Sequence, residues 1–154
     1  MLEPLTAEPS ADADLLAGVD RATAELRRGG LVVVHDGAGA AALVQAAETV
    51  ADGSLARLRA LTGDRLLLAL TKRRAAALGL AAGGAGVVAL TLPEATVAGA
   101  VRRLADPTVE TATRRPGGLI AAEARLPADF AAAGVELAKL ACLLPAAVLA
   151  ALGG

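Results

Sequence analysis

The sequence predicts an α/β fold, a single-domain sandwich in which a mixed sheet is flanked by helices. Its 154 residues are enough to bury one hydrophobic core. Hydrophobic residues make up 55% of the chain and charged residues 20%, which is typical of a folded domain and not of a disordered one. Short apolar runs alternate with stretches of helical periodicity, as in layered α/β proteins. We expect residues 1–10 to form a flexible N-terminal lead-in and residues 11–154 to form the domain.

Helices are predicted where apolar residues recur at helical spacing and suitable residues stand at the ends. The first helix runs from Ala11 to Arg28, and Gly29 follows it where a C-terminal cap belongs. Thr71 has the position of an N-cap. The other predicted helices cover Ala40–Val50, Leu55–Leu61, Lys72–Leu78, Pro93–Leu104 and Phe130–Leu143.

Strands are predicted where short β-branched or leucine-rich runs lie between turn residues. The run Leu31–Val34 is apolar throughout, which indicates burial on both faces in the middle of a sheet. Pro145 begins a final short segment to which the pattern assigns no structure. The other predicted strands are Leu66–Leu70 and Val87–Leu92, with a short extended stretch at Leu119–Ala124.

Composition excludes several classes of function. The net charge is -1 and Phe130 is the only aromatic residue, so nucleic-acid binding has no basic cluster or stacking platform to support it. No window of about 18 residues is free of charged and turn residues, so we expect no membrane span. The single cysteine, Cys142, excludes an internal disulfide and fits a reducing cytoplasm, and we expect it to be a buried, inert thiol.

Several stretches, taken together and in order, resemble the 3,4-dihydroxy-2-butanone 4-phosphate synthase family of the riboflavin pathway. That family makes its product from ribulose 5-phosphate. The resemblance covers the chain from about residue 19 to the end and implies the family's α/β fold and homodimeric state. The stretches are Ala24–Gly30 with the strand Val32–Val34, then Leu68–Arg74 running to Leu80, then Val101–Pro107, Arg115–Gly117 and Val135–Ala141.

The resemblance also implies a site with Mg²⁺, several carboxylates and a phosphate clamp, and here this chain departs from the family. The family's acidic loop Asp-Arg-Glu-Asn-Glu-Gly-Asp corresponds to residues 35–42, which read His-Asp-Gly-Ala-Gly-Ala-Ala-Ala. The family's His-Thr-Glu falls on Phe130 and two alanines, and its phosphate-linked Asp-Arg-x-x-Thr falls on residues 96–100. Alanine offers no oxygen ligand to a hard cation. We therefore expect no metal, no cofactor and no parent synthase activity.

A few polar residues remain as candidates for a site. His35 and Asp36 follow the first strand and are the candidate catalytic residues; the alternatives are a solvated loop histidine and an Asp-Gly turn. Arg115 matches the family's Arg-Pro-Gly and could hold an anionic group, or could pair with a nearby acid. Thr71 and Phe130 are the other candidate substrate-binding residues, and Thr71 could instead only cap its helix.

Three functions fit this pattern. The first is a metal-independent enzyme for cyclisation, isomerisation or rearrangement, acting on a less polar small molecule in an apolar cleft, in specialised metabolism. The second is a non-catalytic pseudoenzyme that binds or regulates a partner. The third is a residual riboflavin-pathway synthase.

Overall fold

A computed structural model gives the fold of this chain. Residues 1–9, most of the predicted lead-in, lie outside the residues that it describes. Those described are 10–63, 65–80, 86–109, 118, 120–121 and 128–153.

Helices and strands alternate along the described residues, as the sequence predicts. Most of the helices begin and end close to the predicted positions. They are α1 (Ala11–Arg27), α2 (Asp52–Thr62), α3 (Lys72–Ala77), α4 (Ala98–Ala105) and α5 (Ala128–Leu140), with a single 3-10 turn at Ala47–Thr49.

The described strands form one sheet in the order β1-β2-β6-β3-β4-β5. Each of its strand pairs is antiparallel. The α/β class is confirmed, but the expected mixed sheet is wrong in its strand directions. The last strand lies in the middle of the sheet. The strands are β1 (Val32–His35), β2 (Ala41–Ala46), β3 (Leu67–Thr71), β4 (Val87–Thr91), β5 (Ile120–Ala121) and β6 (Ala146–Leu152).

Helices cover both faces of the sheet, and each face has its own hydrophobic core. On one face α2, α3 and α4 enclose the larger core, which contains Leu58, Leu68 and Val148. On the other face α5 packs over Ala147 and Leu149, and the end of α1 lies beside α5. Neighbouring residues of β6 thus point into different cores, as the alternation of side chains along a strand requires.

Two predictions about the first two strands are wrong: the residues of β2 were assigned to a helix, and β1 was placed in the middle of the sheet. Ala41–Ala46, predicted as part of a helix, is the strand β2, and its last five residues are buried. Alanine favours helices in isolation, but small side chains also suit a strand covered on both faces. The strand β1 lies at an edge and not in the middle of the sheet, and its exposure alternates so that Val33 and His35 face solvent.

Two boundaries also differ from the predictions. The helix predicted from Pro93 begins at Ala98, which leaves Glu94 in a turn before it. The final segment, to which the sequence pattern assigned no structure, is the central strand β6. Its alanine-rich composition lacks the alternation that marks a half-buried strand, because both of its faces are buried.

The helix α5 approaches the sheet closely at Gly134. A Cβ atom at this position would lie 3.2 Å from Cβ of Ala147, 3.3 Å from Cγ1 of Val44 and 3.5 Å from Cδ2 of Leu149. These residues belong to β6 and β2, so α5 lies against the join between the two strands. The absence of a side chain at Gly134 sets the spacing between helix and sheet.

Cys142 follows the C-terminal end of α5 and has a φ of 58°. Its side chain is exposed, so the expectation of a buried thiol is wrong. The N–H of Leu143 donates to the carbonyl of Ala138 at 3.0 Å, and the N–H of Cys142 donates to that of Lys139 at 2.9 Å. These two bonds form a Schellman motif, in which glycine usually takes the left-handed position. A cysteine there carries a conformational cost.

Replacing Gly134 by valine should lower the free energy of unfolding by about 2 kcal/mol, because the added methyl groups overfill the contact between helix and sheet. Urea denaturation measures this change. Gly99→Ala is the matched control, since a Cβ there would approach only a guanidinium nitrogen of Arg102, at 4.0 Å. The expectation for Gly134 is wrong if both variants are as stable as the parent.

Replacing Cys142 by glycine should raise the free energy of unfolding by about 1 kcal/mol, because glycine adopts a positive φ without the clash of a side chain. The midpoint of denaturation in the presence of a reductant measures this gain. Cys142→Ala also removes the thiol but keeps a Cβ, and should leave stability close to that of the parent. An equal gain in both variants would assign the effect to the thiol and not to the backbone.

Candidate functional site

The loop from β1 to β2, to which the resemblance assigns the family's acidic loop, has the geometry of a tight turn. Oδ1 of Asp36 accepts hydrogen bonds from the N–H of Ala38 at 2.7 Å and of Ala40 at 3.1 Å. Gly37 and Gly39 have φ of 76° and 112°, which the turn requires and glycine permits. The Asp36 carboxylate therefore closes the loop on itself. Its catalytic role stays a prediction.

His35 ends β1 with an exposed side chain on the same face of the sheet as Val33. In the strand register it pairs with Ala41, which in turn pairs with Leu152 at the end of β6. The imidazole therefore lies at one end of the sheet, on the face opposite to α5. This part of the sheet is open to solvent at its edge.

Thr71 lies at the other end of the sheet and caps α3, since its Oγ1 accepts a hydrogen bond from the N–H of Arg74 at 3.2 Å. Its neighbour Leu70 pairs with Ala146, the first residue of β6, whereas His35 lies level with the last residue of that strand. Six residues of strand separate the two levels, a distance of about 20 Å. Thr71 and His35 therefore do not form one site within this chain.

Phe130 lies in the first turn of α5 and is 4% exposed. It packs in the core between α5 and the sheet with Ala42, Val44 and Leu149. This core is on the opposite face of the sheet from His35. Arg115, the remaining candidate, lies outside the described residues.

The described residues contain no group of three or more His, Cys, Asp or Glu side chains that could hold a metal ion. Metal independence stays a prediction, since residues 81–85 and 110–117 lie beyond that description. In the same part of the chain, no helix has the length and apolar character needed to cross a membrane.

The sequence analysis did not predict a contact between α3 and the C-terminal end of α4, each of which carries a run of basic residues. Nε of Arg74, in α3, donates to the carbonyl of Leu104 at 2.7 Å, and its Nη2 donates to that of Arg103 at 3.1 Å. A guanidinium at a helix C-terminus satisfies carbonyls that the helix leaves unpaired and opposes its dipole. The doublet Arg102-Arg103 in the last turn of α4, just before Asp106-Pro107, was the available signal, but it does not identify the partner.

The turn after α4 holds Asp106 in its ionised form. The hydroxyl and the N–H of Thr108 both donate to Oδ1 of Asp106, at 2.7 and 2.8 Å, and lower the pKa of this carboxyl below its ordinary value. The guanidinium of Arg74 lowers the pKa further by a smaller amount. The carboxylate therefore stabilises the turn that follows α4, next to the contact between Arg74 and the end of that helix.

The stretches that carry the family resemblance also contain side chains that form hydrogen bonds between secondary-structure elements. Arg74, in the second stretch, contacts the end of α4, in the third. Nε of Arg27, in the first stretch, donates to the carbonyl of Ala141 at 3.0 Å, just after α5. The retained motifs therefore connect helices to one another, and they do not surround His35.

The fold of this chain is similar to that of solved 3,4-dihydroxy-2-butanone 4-phosphate synthases. A solved structure of this enzyme in a cation-free form matches with a TM-score of 0.66 and 26% identity, over 87% of this chain and 74% of that chain. A second, in complex with two magnesium ions, matches with a TM-score of 0.65 and 27% identity over the same shares.

Among curated proteins, a GTP cyclohydrolase-2 from Azospirillum brasilense is 43% identical over 139 residues, which are 90% of this chain and 36% of that protein. This chain therefore spans about a third of the length of that relative. No family model matches the sequence. The predicted resemblance is confirmed: the chain resembles 3,4-dihydroxy-2-butanone 4-phosphate synthases in fold and sequence. Its own loop between β1 and β2 is a short hairpin turn.

Replacing Asp36 by alanine should lower the free energy of unfolding by about 1 kcal/mol, because two backbone N–H groups lose their acceptor. Asp36→Asn keeps an oxygen at the same position and should be nearly as stable as the parent. Thermal denaturation of the two variants side by side measures the difference. Equal stability of the two would contradict a structural role for this side chain.

Proposed function

We propose that this chain is a non-catalytic module, derived from a 3,4-dihydroxy-2-butanone 4-phosphate synthase, that binds and stabilises a GTP cyclohydrolase-2 unit. The observation that carries the proposal is the separation of the polar groups that the sequence assigned to one site. His35 and Thr71 lie at opposite ends of the sheet, and Phe130 is buried on the face away from His35. General acid-base catalysis needs a titratable group within hydrogen-bonding reach of the proton that it moves.

The hydrogen bonds of the remaining groups support the same proposal. The Asp36 carboxylate already accepts two backbone N–H groups in its own turn, and the Thr71 hydroxyl oxygen accepts the N–H of Arg74. Both side chains thus have structural roles that need no ligand. A module without a working site can be kept for its surface and for its effect on a neighbour.

The identity of the partner rests on the curated relative. About two thirds of the Azospirillum brasilense GTP cyclohydrolase-2 lies beyond the 139 residues similar to this chain. In that protein a stretch of this kind is therefore joined to a larger part that the match does not include. This arrangement supports a partner of the cyclohydrolase class for this chain, in the same polypeptide or in a separate one.

The metal-independent enzyme of specialised metabolism, acting on a less polar molecule through His35 and Asp36, remains the second candidate. It is favoured only by the exposure of His35 beside the hairpin turn. It needs an anchor for the substrate close to the imidazole, and Thr71 lies about 20 Å away along the sheet. The homodimer and the cytoplasmic location that follow from the resemblance and the composition also stay proposals.

Incubation of the purified protein with ribulose 5-phosphate and Mg²⁺ should release no formate above the buffer control. An active 3,4-dihydroxy-2-butanone 4-phosphate synthase, assayed alongside, provides the positive control. Formate release by this chain that is lost on addition of a chelator would overturn the non-catalytic proposal and restore the synthase reading.

The partner is tested with the Azospirillum brasilense relative. Its unmatched part, expressed without the stretch similar to this chain, should form a complex with this chain in sedimentation experiments and unfold at a higher temperature in that complex. The full-length relative provides the reference for a joined module. Absence of a complex at high micromolar concentration, with both components shown to be folded, would overturn the choice of partner.

A further inference from the structure

The helical layer of α2, α3 and α4 is basic, although the chain as a whole has a net charge of -1. Residues 50–109, which contain these helices, include eight lysine or arginine residues and four acidic residues. Residues 10–49, which contain α1 and the β1–β2 hairpin, include six acidic and three basic residues. Because α1 and α5 lie on the opposite face of the sheet from the basic helices, the fold separates the two signs of charge.

Four arginines of this layer lie next to one another, and we call them the arginine cluster: Arg73 and Arg74 in α3, and Arg102 and Arg103 in the last turn of α4. The guanidinium of Arg74 joins the two helices, since it donates to the carbonyls of Leu104 and Arg103. The other three arginines are exposed. The two pairs lie far apart in the sequence, so the cluster becomes apparent only from the fold.

Two guanidinium groups of the cluster are held by backbone carbonyls and not by carboxylates. The contacts of Arg74 are those with the end of α4, and Nη1 of Arg102 donates to the carbonyl of Val50. A neutral carbonyl fixes the position of a guanidinium but leaves its charge in place. The two ion pairs found among the described residues lie at the end of α1 and in α5, away from the cluster.

Asp106, in the turn after α4, offsets part of the positive charge of the cluster. It lies close enough to Arg74 for the two charges to interact, but its carboxylate already accepts hydrogen bonds from the N–H and the hydroxyl of Thr108. The cluster has four cations and this turn contributes one anion. The surface therefore keeps an excess of positive charge.

We propose that the arginine cluster binds an acidic segment of a partner protein. Guanidinium groups form charge-assisted, often bidentate hydrogen bonds with carboxylates. Side chains that carbonyls already hold in place lose less conformational freedom on binding than free ones do. The same surface of a second copy does not fit, because like charges would then face each other.

The observations favour a protein over a nucleic acid as the occupant. Phe130 is the only aromatic residue of the chain and is 4% exposed, so the surface offers no stacking platform for bases. A nucleic-acid strand that extended past the cluster towards α1 would meet acidic residues that repel its phosphates. A short acidic segment of a protein needs only the cluster itself.

This proposal deepens the function proposed above and rests on it for the identity of the partner. It assigns the contact with the cyclohydrolase unit to the outer surface of α3 and α4. Such a contact depends on charge, so it should form rapidly and weaken as the salt concentration rises.

Fluorescence anisotropy with a labelled peptide of glutamates tests the surface itself. The parent protein should bind this peptide, and added salt should weaken the binding. Arg73→Glu and Arg103→Glu should each raise the dissociation constant by roughly tenfold, because a carboxylate then faces the acidic peptide. No hydrogen bond or ion pair of either side chain is found among the described residues, so both variants should keep the fold, which circular dichroism checks.

Arg21→Glu is the matched control. It makes the same change of charge on the exposed surface of α1, on the acidic side of the molecule, and should leave binding of the peptide close to that of the parent. A parent protein that does not bind the peptide would overturn the proposal, as would an equal loss of binding in Arg21→Glu and Arg103→Glu. Tighter binding of a labelled single-stranded oligonucleotide than of the peptide would overturn the choice of a protein.

The unmatched part of the Azospirillum brasilense relative separates the surface from the partner. Its complex with this chain should be lost in the double variant R73E/R103E and kept in Arg21→Glu, as measured by sedimentation velocity. A complex that persists unchanged in the double variant would overturn the role of the cluster and leave the proposed partner in place. Binding of the glutamate peptide by the parent, without any complex with the cyclohydrolase part, would overturn the partner and not the surface.

Discussion

The strand β6 is the element on which the rest of the structure depends. It pairs with β2 along six residues and with β3 along four, so it is the strand that joins the β1–β2 hairpin to β3, β4 and β5. Its first five residues are buried, and α5, which precedes it directly, packs against it through Gly134. Because β6 is the last strand of the chain, the sheet forms through contacts between residues far apart in sequence, which favours slow, cooperative folding.

The helices that enclose the sheet are fixed by contacts that lie away from the hairpin turn at Asp36. The guanidinium of Arg27 reaches the chain between α5 and β6, and that of Arg74 holds the end of α4, so these contacts fix the helices that enclose the sheet. A carboxyl oxygen of Asp52 likewise accepts a hydrogen bond from the first N–H of α4, at 2.6 Å. None of these contacts involves His35 or Asp36. Substitution at the hairpin turn therefore leaves the joints between elements intact.

The sequence predicted the elements whose signals are local, and it failed where burial decided the outcome. Thr71 was correctly identified as a cap because a hydroxyl before a helical run is a local signal. The strands β2 and β6 were missed because alanine-rich segments buried on both faces have no alternation to mark them. The candidate residues were predicted as one site because the family resemblance gives only their order along the chain. That His35 and Thr71 lie at opposite ends of the sheet follows only from the register of the strands. The register cannot be derived before β6 is known to lie between β2 and β3.

The turn between β1 and β2 is stabilised by hydrogen bonds within its own chain. A loop rich in carboxylates brings like charges together and needs a cation to offset their repulsion. The turn at Asp36 has one carboxylate, already bonded to two N–H groups of its own loop. Phe130, at the start of α5, adds buried apolar surface to the core beneath that helix. Both side chains thus contribute to the stability of the fold. The proposed role as a binding module would rest on the surface of a domain stabilised in this way.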